Sequence, residues 1–154
     1  MINLTSLDIT NKNLVIRVDM NVPITDGIVA DASRIKACIP TIKLALENNA
    51  KVLLISHLGR PEEGKFEEKF SMKPVAESLS SIINQEVGLV DRLDSEDIFK
   101  SSFNIQILEN IRFFKGEKAN DKDLGNTLAN LGDIYVFDAF GTAHREQAST
   151  HSAI

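Results

Sequence analysis

Arg34, Arg60, Arg112 and Arg145 are four of the six arginines in this 154-residue chain, and each stands just after, or at the first helix beyond, a short apolar run. His57 and His144 share these segments. A guanidinium presents a planar fork of donors that matches carboxylate and phosphate oxygens two at a time. The chain carries 17 basic and 22 acidic side chains, a net charge of −5, so such clustering implies a positive pocket built against the overall sign. The ligand this implies is a small, multiply charged anion. A single arginine in a surface loop is ordinarily just solvated. Four at one edge, with Gly59 and Gly141 beside two of them, favour a site, because glycine also lets backbone approach a ligand.

Other residues in these segments have two readings each. Asp19 and Asn21 either contact the ligand or simply cap their loop, as Asx residues often do. His57 directly follows an apolar run and is expected to face the pocket. His144 and His151 lack partners at metal-ligand spacing, so no zinc site is expected. Cys38 lies on the apolar face of a helix, where packing outweighs a nucleophilic role. The stretch 59–66 has the form G-x-x-x-x-G-K, yet it ends in Phe66, which offers no hydroxyl to magnesium. Glu62 and Glu63 would point negative charge at phosphates, and no apolar helical stripe follows. This match reads as coincidence.

The elements that must position these residues are legible from periodicity. Apolar, β-branched runs at 14–18, 51–55, 86–90, 104–108 and 133–137 are mostly continuous, as in strands buried on both faces of a parallel sheet. Helical spacing lies between them. Ile35, Cys38, Ile39, Ile42 and Leu46 share one face, with Ser33 as N-cap and Asn48-Asn49 as stop. A second helix spans 73–84 with Pro74 in its first turn. A short one is expected at 95–101, and another follows Asn120 with Leu124, Leu128 and Leu131 in line and Gly132 as stop. Residues 60–69 read as an exposed loop. The whole, residues 1–154, is one α/β domain with crossover helices in three α/β/α layers over a mostly parallel, Rossmann-like sheet. In such a sheet the segments carrying the arginines emerge together at the carboxyl ends of the strands.

Composition limits the alternatives. Apolar content of 43% and charged content of 25% are those of an ordinary globular protein. The acidic balance gives no footprint for nucleic acid or a membrane surface. No stretch approaches the roughly 18 apolar residues of a membrane span. One cysteine rules out an intrachain disulfide, and a cytoplasmic location is the default expectation. A receiver-like regulatory module would need paired acids after the first strand, where only Asp19 stands. A non-enzymatic phosphate-binding α/β module remains the alternative to an enzyme.

Four unbroken blocks in order, R-V-D-M-N-V-P at 17–23, S-H-L-G-R-P at 56–61, L-E-N-I-R-F at 108–113 and D-A-F-G-T-A-H-R at 138–145, resemble those of the phosphoglycerate kinase family. Met20, Phe137 and Ser152 stand where that family commonly has other residues. The resemblance covers the chain but less than half of a family member. It implies an incomplete N-terminal half of a two-domain kinase, with a helix unfinished after the fifth strand. The implied reaction is reversible phosphoryl transfer between 1,3-bisphosphoglycerate and magnesium-ADP, giving 3-phosphoglycerate and ATP in glycolysis and gluconeogenesis. By resemblance, Asp19 and Asn21 hold the glycerate hydroxyl and carboxyl region, while His57, Arg60, Arg112 and Arg145 hold the phosphate that stays. Leu58 and Gly59 complete the substrate-binding set, and Arg34 sits nearest the transferring group. Mg-ATP or Mg-ADP would be bound by the C-terminal half, leaving this chain inactive alone. The full-length enzyme is expected to be a monomer, and the shorter chain, with a sheet edge uncovered, is expected to self-associate.

Overall fold

A computed structural model describes residues 3–154. In chain order the elements are β1 (Asn13–Val18), β2 (Ile24–Thr25), β3 (Ile28–Val29), α1 (Ser33–Glu47), β4 (Lys51–Ile55), α2 (Lys73–Ile83), β5 (Val87–Val90), α3 (Ser95–Ile98), β6 (Ile105–Leu108), α4 (Lys122–Ala129) and β7 (Ile134–Asp138). Every expected strand forms, with ends shifted by a residue at most. Five strands make one sheet in the order β5-β6-β4-β1-β7, and every pairing in it is parallel.

Three layers follow from strand alternation and crossover handedness. Leu14, Ile16 and Val18 of β1, with Val52 and Leu54 of β4, pack against Ile35 and Ile42 of α1 and Val75 and Leu79 of α2. The intervening Val15, Leu53 and Ile55 face Ile98 of α3 and Leu124 and Leu128 of α4 on the opposite side. From β1 the chain steps through β4 out to β5, then returns through β6 to β7 on the other side of β1. Right-handed crossovers in opposite directions place helices on opposite faces. Among the described residues no helix is long and apolar enough to cross a membrane.

Local differences from expectation have plain causes. Ser33 opens α1 rather than capping it; the cap position is Ala32, and the Ser33 hydroxyl donates to Asp31 at 2.5 Å instead. Helix α3 stops at Ile98, and α4 is capped by Asp121, whose side chain accepts from the Leu124 amide at 2.8 Å. That helix ends at Ala129, so Gly132 is not its stop. Gly132 instead passes the β1 backbone so closely that a Cβ there would lie 2.6 Å from the Asn13 carbonyl. The β2–β3 hairpin was not expected, although Asp26-Gly27 at its turn, both with positive φ, is a strong hairpin signal. Asn49 and Asn84 take the left-handed conformation where α1 and α2 end.

The Ser71 hydroxyl accepts from the Lys73 amide at 3.2 Å, but the N-cap residue of helix α2, Met72, has no capping side chain. Glu109, buried just beyond β6, supplies one: Oε1 accepts from the Met72 amide at 2.6 Å and Oε2 from the Ser71 hydroxyl at 2.9 Å. A negative group at a helix N-terminus is favourable both as acceptor and against the helix dipole. Glu109→Ala leaves a buried N–H without a partner and is expected to lower unfolding free energy by about 1–3 kcal/mol in urea denaturation.

Candidate anion-binding site

The parallel sheet delivers the segments after β1, β4, β6 and β7 to one edge, and their side chains interlock there. Asn21, three residues beyond β1, accepts through Oδ1 from the Gly59 amide at 2.9 Å. The Gly59 carbonyl accepts from Arg112 at 2.5 Å. Asp19 forms an ion pair with Arg34 at 3.4 Å, and Arg34 also donates to the Asn21 carbonyl at 3.1 Å. Gly141 borders the same carboxylate: a Cβ there would sit 3.7 Å from Asp19 Oδ2. One connected surface thus contains residues from four loops and the first turn of α1.

His57 lies at its centre. It is 2% exposed, with Nδ1 3.2 Å from Arg17 and Nε2 3.5 Å from Arg145. Burial pushes its pKa down to about 3, and the positive charges of Arg17, Arg112, Arg145 and Arg34 push the same way. The imidazole is therefore neutral at physiological pH. Arg112 is buried; desolvation and the charges of Arg145, Arg17 and Arg60 lower its pKa, though a guanidinium stays protonated. Its Nε is buried without a hydrogen-bond partner. Such a donor is out of place unless an acceptor is to be supplied.

Asp19, Asn21, His57, Gly59, Arg112 and Arg145 are brought together, and Arg34 reaches them from α1 with 55% of its side chain exposed. Arg60 is exposed and takes part through its charge on Arg112. Leu58 is buried in the core; its amide and carbonyl are both tied to the Asn110 side chain, at 3.2 and 2.6 Å, so it positions the loop through its backbone. His144 is exposed, and Cys38 is buried with its thiol pKa raised to about 12 by desolvation. Residues 59–66 form no phosphate loop: Phe66 is exposed against Phe113, ring centroids 5.4 Å apart, and only the 3₁₀ turn Glu68–Phe70 follows.

Three participants were not anticipated as site residues. Arg17 is fully buried in β1, Glu117 is fully buried, and Ser149 lies between them in the π-turn Ala148–Ser152. The available signal was Arg17 itself, a charge inside an otherwise apolar strand run.

This is an α/β domain that gathers its arginines and His57 at the carboxyl edge of a parallel sheet. The family model of phosphoglycerate kinase matches residues 4–153, and the chain belongs to that family. It is 49% identical to the phosphoglycerate kinase of Desulfovibrio desulfuricans over 96% of its length and 49% identical to that of Legionella pneumophila over 98%. It covers 38% of each of those proteins. The solved phosphoglycerate kinase of Coxiella burnetii superposes on 99% of the chain with a TM-score of 0.88 at 44% identity, and that of Pyrococcus horikoshii on 97% with 0.83 at 32%. The chain spans 39% of each.

The depressed His57 pKa has a stability consequence. Below the ordinary value of 6.5 the unfolded chain takes up a proton that the folded chain resists down to about 3. Stability from this group is therefore present above 6.5 and lost as pH falls through that window. His57→Gln, which cannot titrate, is expected to show a flatter acid limb than wild type when denaturant midpoints are compared from pH 7 to about 4.

Proposed function

We propose that this chain carries the 3-phosphoglycerate site of a phosphoglycerate kinase, the enzyme class that moves a phosphoryl group reversibly between 1,3-bisphosphoglycerate and ADP. The observation that carries the reading is the cluster of Arg17, Arg34, Arg112 and Arg145 around neutral His57, with a buried Arg112 donor left unpaired. A compact polyanion satisfies both features.

The roles are those the family resemblance implies, and the positions of the side chains support them. His57, Arg60, Arg112 and Arg145 grip the phosphate that remains on the substrate; the guanidiniums neutralise it and the imidazole donates. Asn21, with Oδ1 committed to Gly59, keeps its amide N–H₂ to donate toward the carboxylate and hydroxyl region beside Asp19. Leu58 and Gly59 hold that loop in register. Arg34 is the outermost of these charges: exposed, tethered by Asp19 and the Asn21 carbonyl, it is suited to meet charge spreading over the equatorial oxygens of a phosphoryl group in transfer.

Magnesium and nucleotide fit poorly on the residues present. The Gly59-to-Phe66 stretch lacks a hydroxyl at its end, and Glu62 and Glu63 oppose phosphate. We assign Mg-ADP and Mg-ATP to the portion of the relatives beyond this chain. In-line transfer needs both ligands held together in a water-excluding site. Purified chain alone is therefore expected to form no ATP from 1,3-bisphosphoglycerate and ADP in a coupled assay.

Titration calorimetry tests the site directly. 3-Phosphoglycerate should bind and weaken with added salt, while ATP should give no heat. Arg112→Ala should lose roughly 30-fold or more in affinity, equivalent to about 2 kcal/mol for a charge-assisted hydrogen bond, and Arg34→Ala should weaken binding as well. Arg92→Ala, remote in an exposed pair with Asp91, should bind as wild type does. Equal affinity in Arg112→Ala would overturn the assignment.

A further inference from the structure

Arg17 is fully buried, and all three of its nitrogens are engaged. Nε donates to the Ser149 hydroxyl at 2.8 Å, one terminal nitrogen donates to the Val18 carbonyl, and the other lies 3.2 Å from Nδ1 of His57. A guanidinium has donors and no acceptor. A proton on Nδ1 would set two donors against each other in a space closed to water. Nδ1 must therefore present its lone pair, and the one N–H of a neutral imidazole must sit on Nε2.

We infer that Arg17 is a positioning residue: its hydrogen bond to Nδ1 locks His57 as the Nε2–H tautomer and turns that proton toward the anion pocket. The contact on the other side of the ring opposes this tautomer, but it is the longer and less buried of the two. Arg145 lies 3.5 Å from Nε2, at the limit of hydrogen bonding and donor against donor. Arg145 is half-buried, and an anionic oxygen placed between the two would accept from both at once. The use of this donor for substrate rests on the function proposed above; the tautomer itself does not.

Arg17 can hold this position because its own charge is answered from behind. Ser149 donates through its hydroxyl to Glu117 at 2.5 Å and through its amide at 3.0 Å. Both carboxylate oxygens are thus acceptors, the pattern of an ionised group. Burial raises the Glu117 pKa, and the Ser149 hydrogen bonds and the Arg17 charge oppose that rise. Tyr135 of β7 fixes the turn further by donating to the Ser149 carbonyl at 2.6 Å. The charges bearing on the ring are Arg17 from β1, Arg34 from α1, Arg112 after β6 and Arg145 after β7. All are positive and disfavour imidazolium, as the depressed pKa reflects.

Long-range proton–nitrogen NMR of the full chain reads the tautomer directly. Wild-type His57 should show an unprotonated Nδ1 and a protonated Nε2, constant across about pH 5 to 8, where an ordinary histidine titrates. Arg17→Met combined with Glu117→Gln removes both buried charges together, so neither is stranded. In this variant the two nitrogen signals should move toward a tautomer mixture, and 3-phosphoglycerate affinity should fall about tenfold by calorimetry. Should the double variant fail to fold by circular dichroism, Ser149→Ala keeps both charges while freeing Arg17 Nε, and the same drift is expected. A wild-type ring protonated on Nδ1, or doubly protonated near neutral pH, overturns the inference. So does an unchanged His57 spectrum in a folded variant. If neither 3-phosphoglycerate nor inorganic phosphate binds wild type, the proposed function falls, while the ligand-free spectrum still decides the tautomer.

Discussion

Like charges crowded at one edge are the constraint on which this structure turns. Arg17, Arg34, Arg112 and Arg145 all bear on one buried histidine, in surroundings where repulsion is less screened than in water. The fold holds them mainly with neutral acceptors rather than with carboxylates. Arg17 rests on the Val18 carbonyl and Ser149, Arg112 on the Gly59 carbonyl, and Arg34 on the Asn21 carbonyl. Among the described residues the only direct ion pair made by these four joins Arg34 to Asp19. Orientation is thereby fixed while most of the positive charge stays available.

Two adjacent side chains after β6 organise the scaffold beneath. Glu109 caps α2, as its contacts to Ser71 and Met72 show. Asn110 turns the other way: its Oδ1 accepts from the Leu58 and Arg112 amides, and its Nδ2 donates to the Leu58 and Phe70 carbonyls. One amide side chain therefore joins the loop after β4, the loop after β6 and the approach to α2. Gly59 occupies the tightest point, with φ of +59° and the Phe70 ring 2.6 Å from where a Cβ would stand. Its amide and carbonyl serve Asn21 and Arg112, so the left-handed backbone there links two pocket residues.

Electrostatics divide the pocket into a fixed and an adjustable part. Arg17, His57 and Arg112 are buried and partnered on at least one side, whereas Arg34 and Arg60 are exposed and Arg145 is half-buried. For the anion proposed above, the core is preset and the outer guanidiniums are the part still to be ordered. Less ordering remains to be done at the centre than at the rim.

Strand identity and edge are legible in the sequence. Continuous apolar runs such as 51–55 leave few conformations other than a doubly buried parallel strand, and parallel strands send their following loops to one side. Hence Arg34, His57, Arg112 and Arg145 could be placed on a common rim from order alone. The hairpin at 24–29 escaped this reading: Asp26-Gly27 carries its own turn chemistry, but two-residue strands show no periodicity. What the chain by itself could not disclose is which partner a buried charge meets. Arg17 and Ser149 are 132 positions apart, and Glu117 belongs to a third segment. In a strand covered on both faces, periodicity says that a side chain is inside and not what lies across from it. That choice, and with it the orientation of His57, was made only when β1, the segment after β6 and the π-turn after β7 packed together.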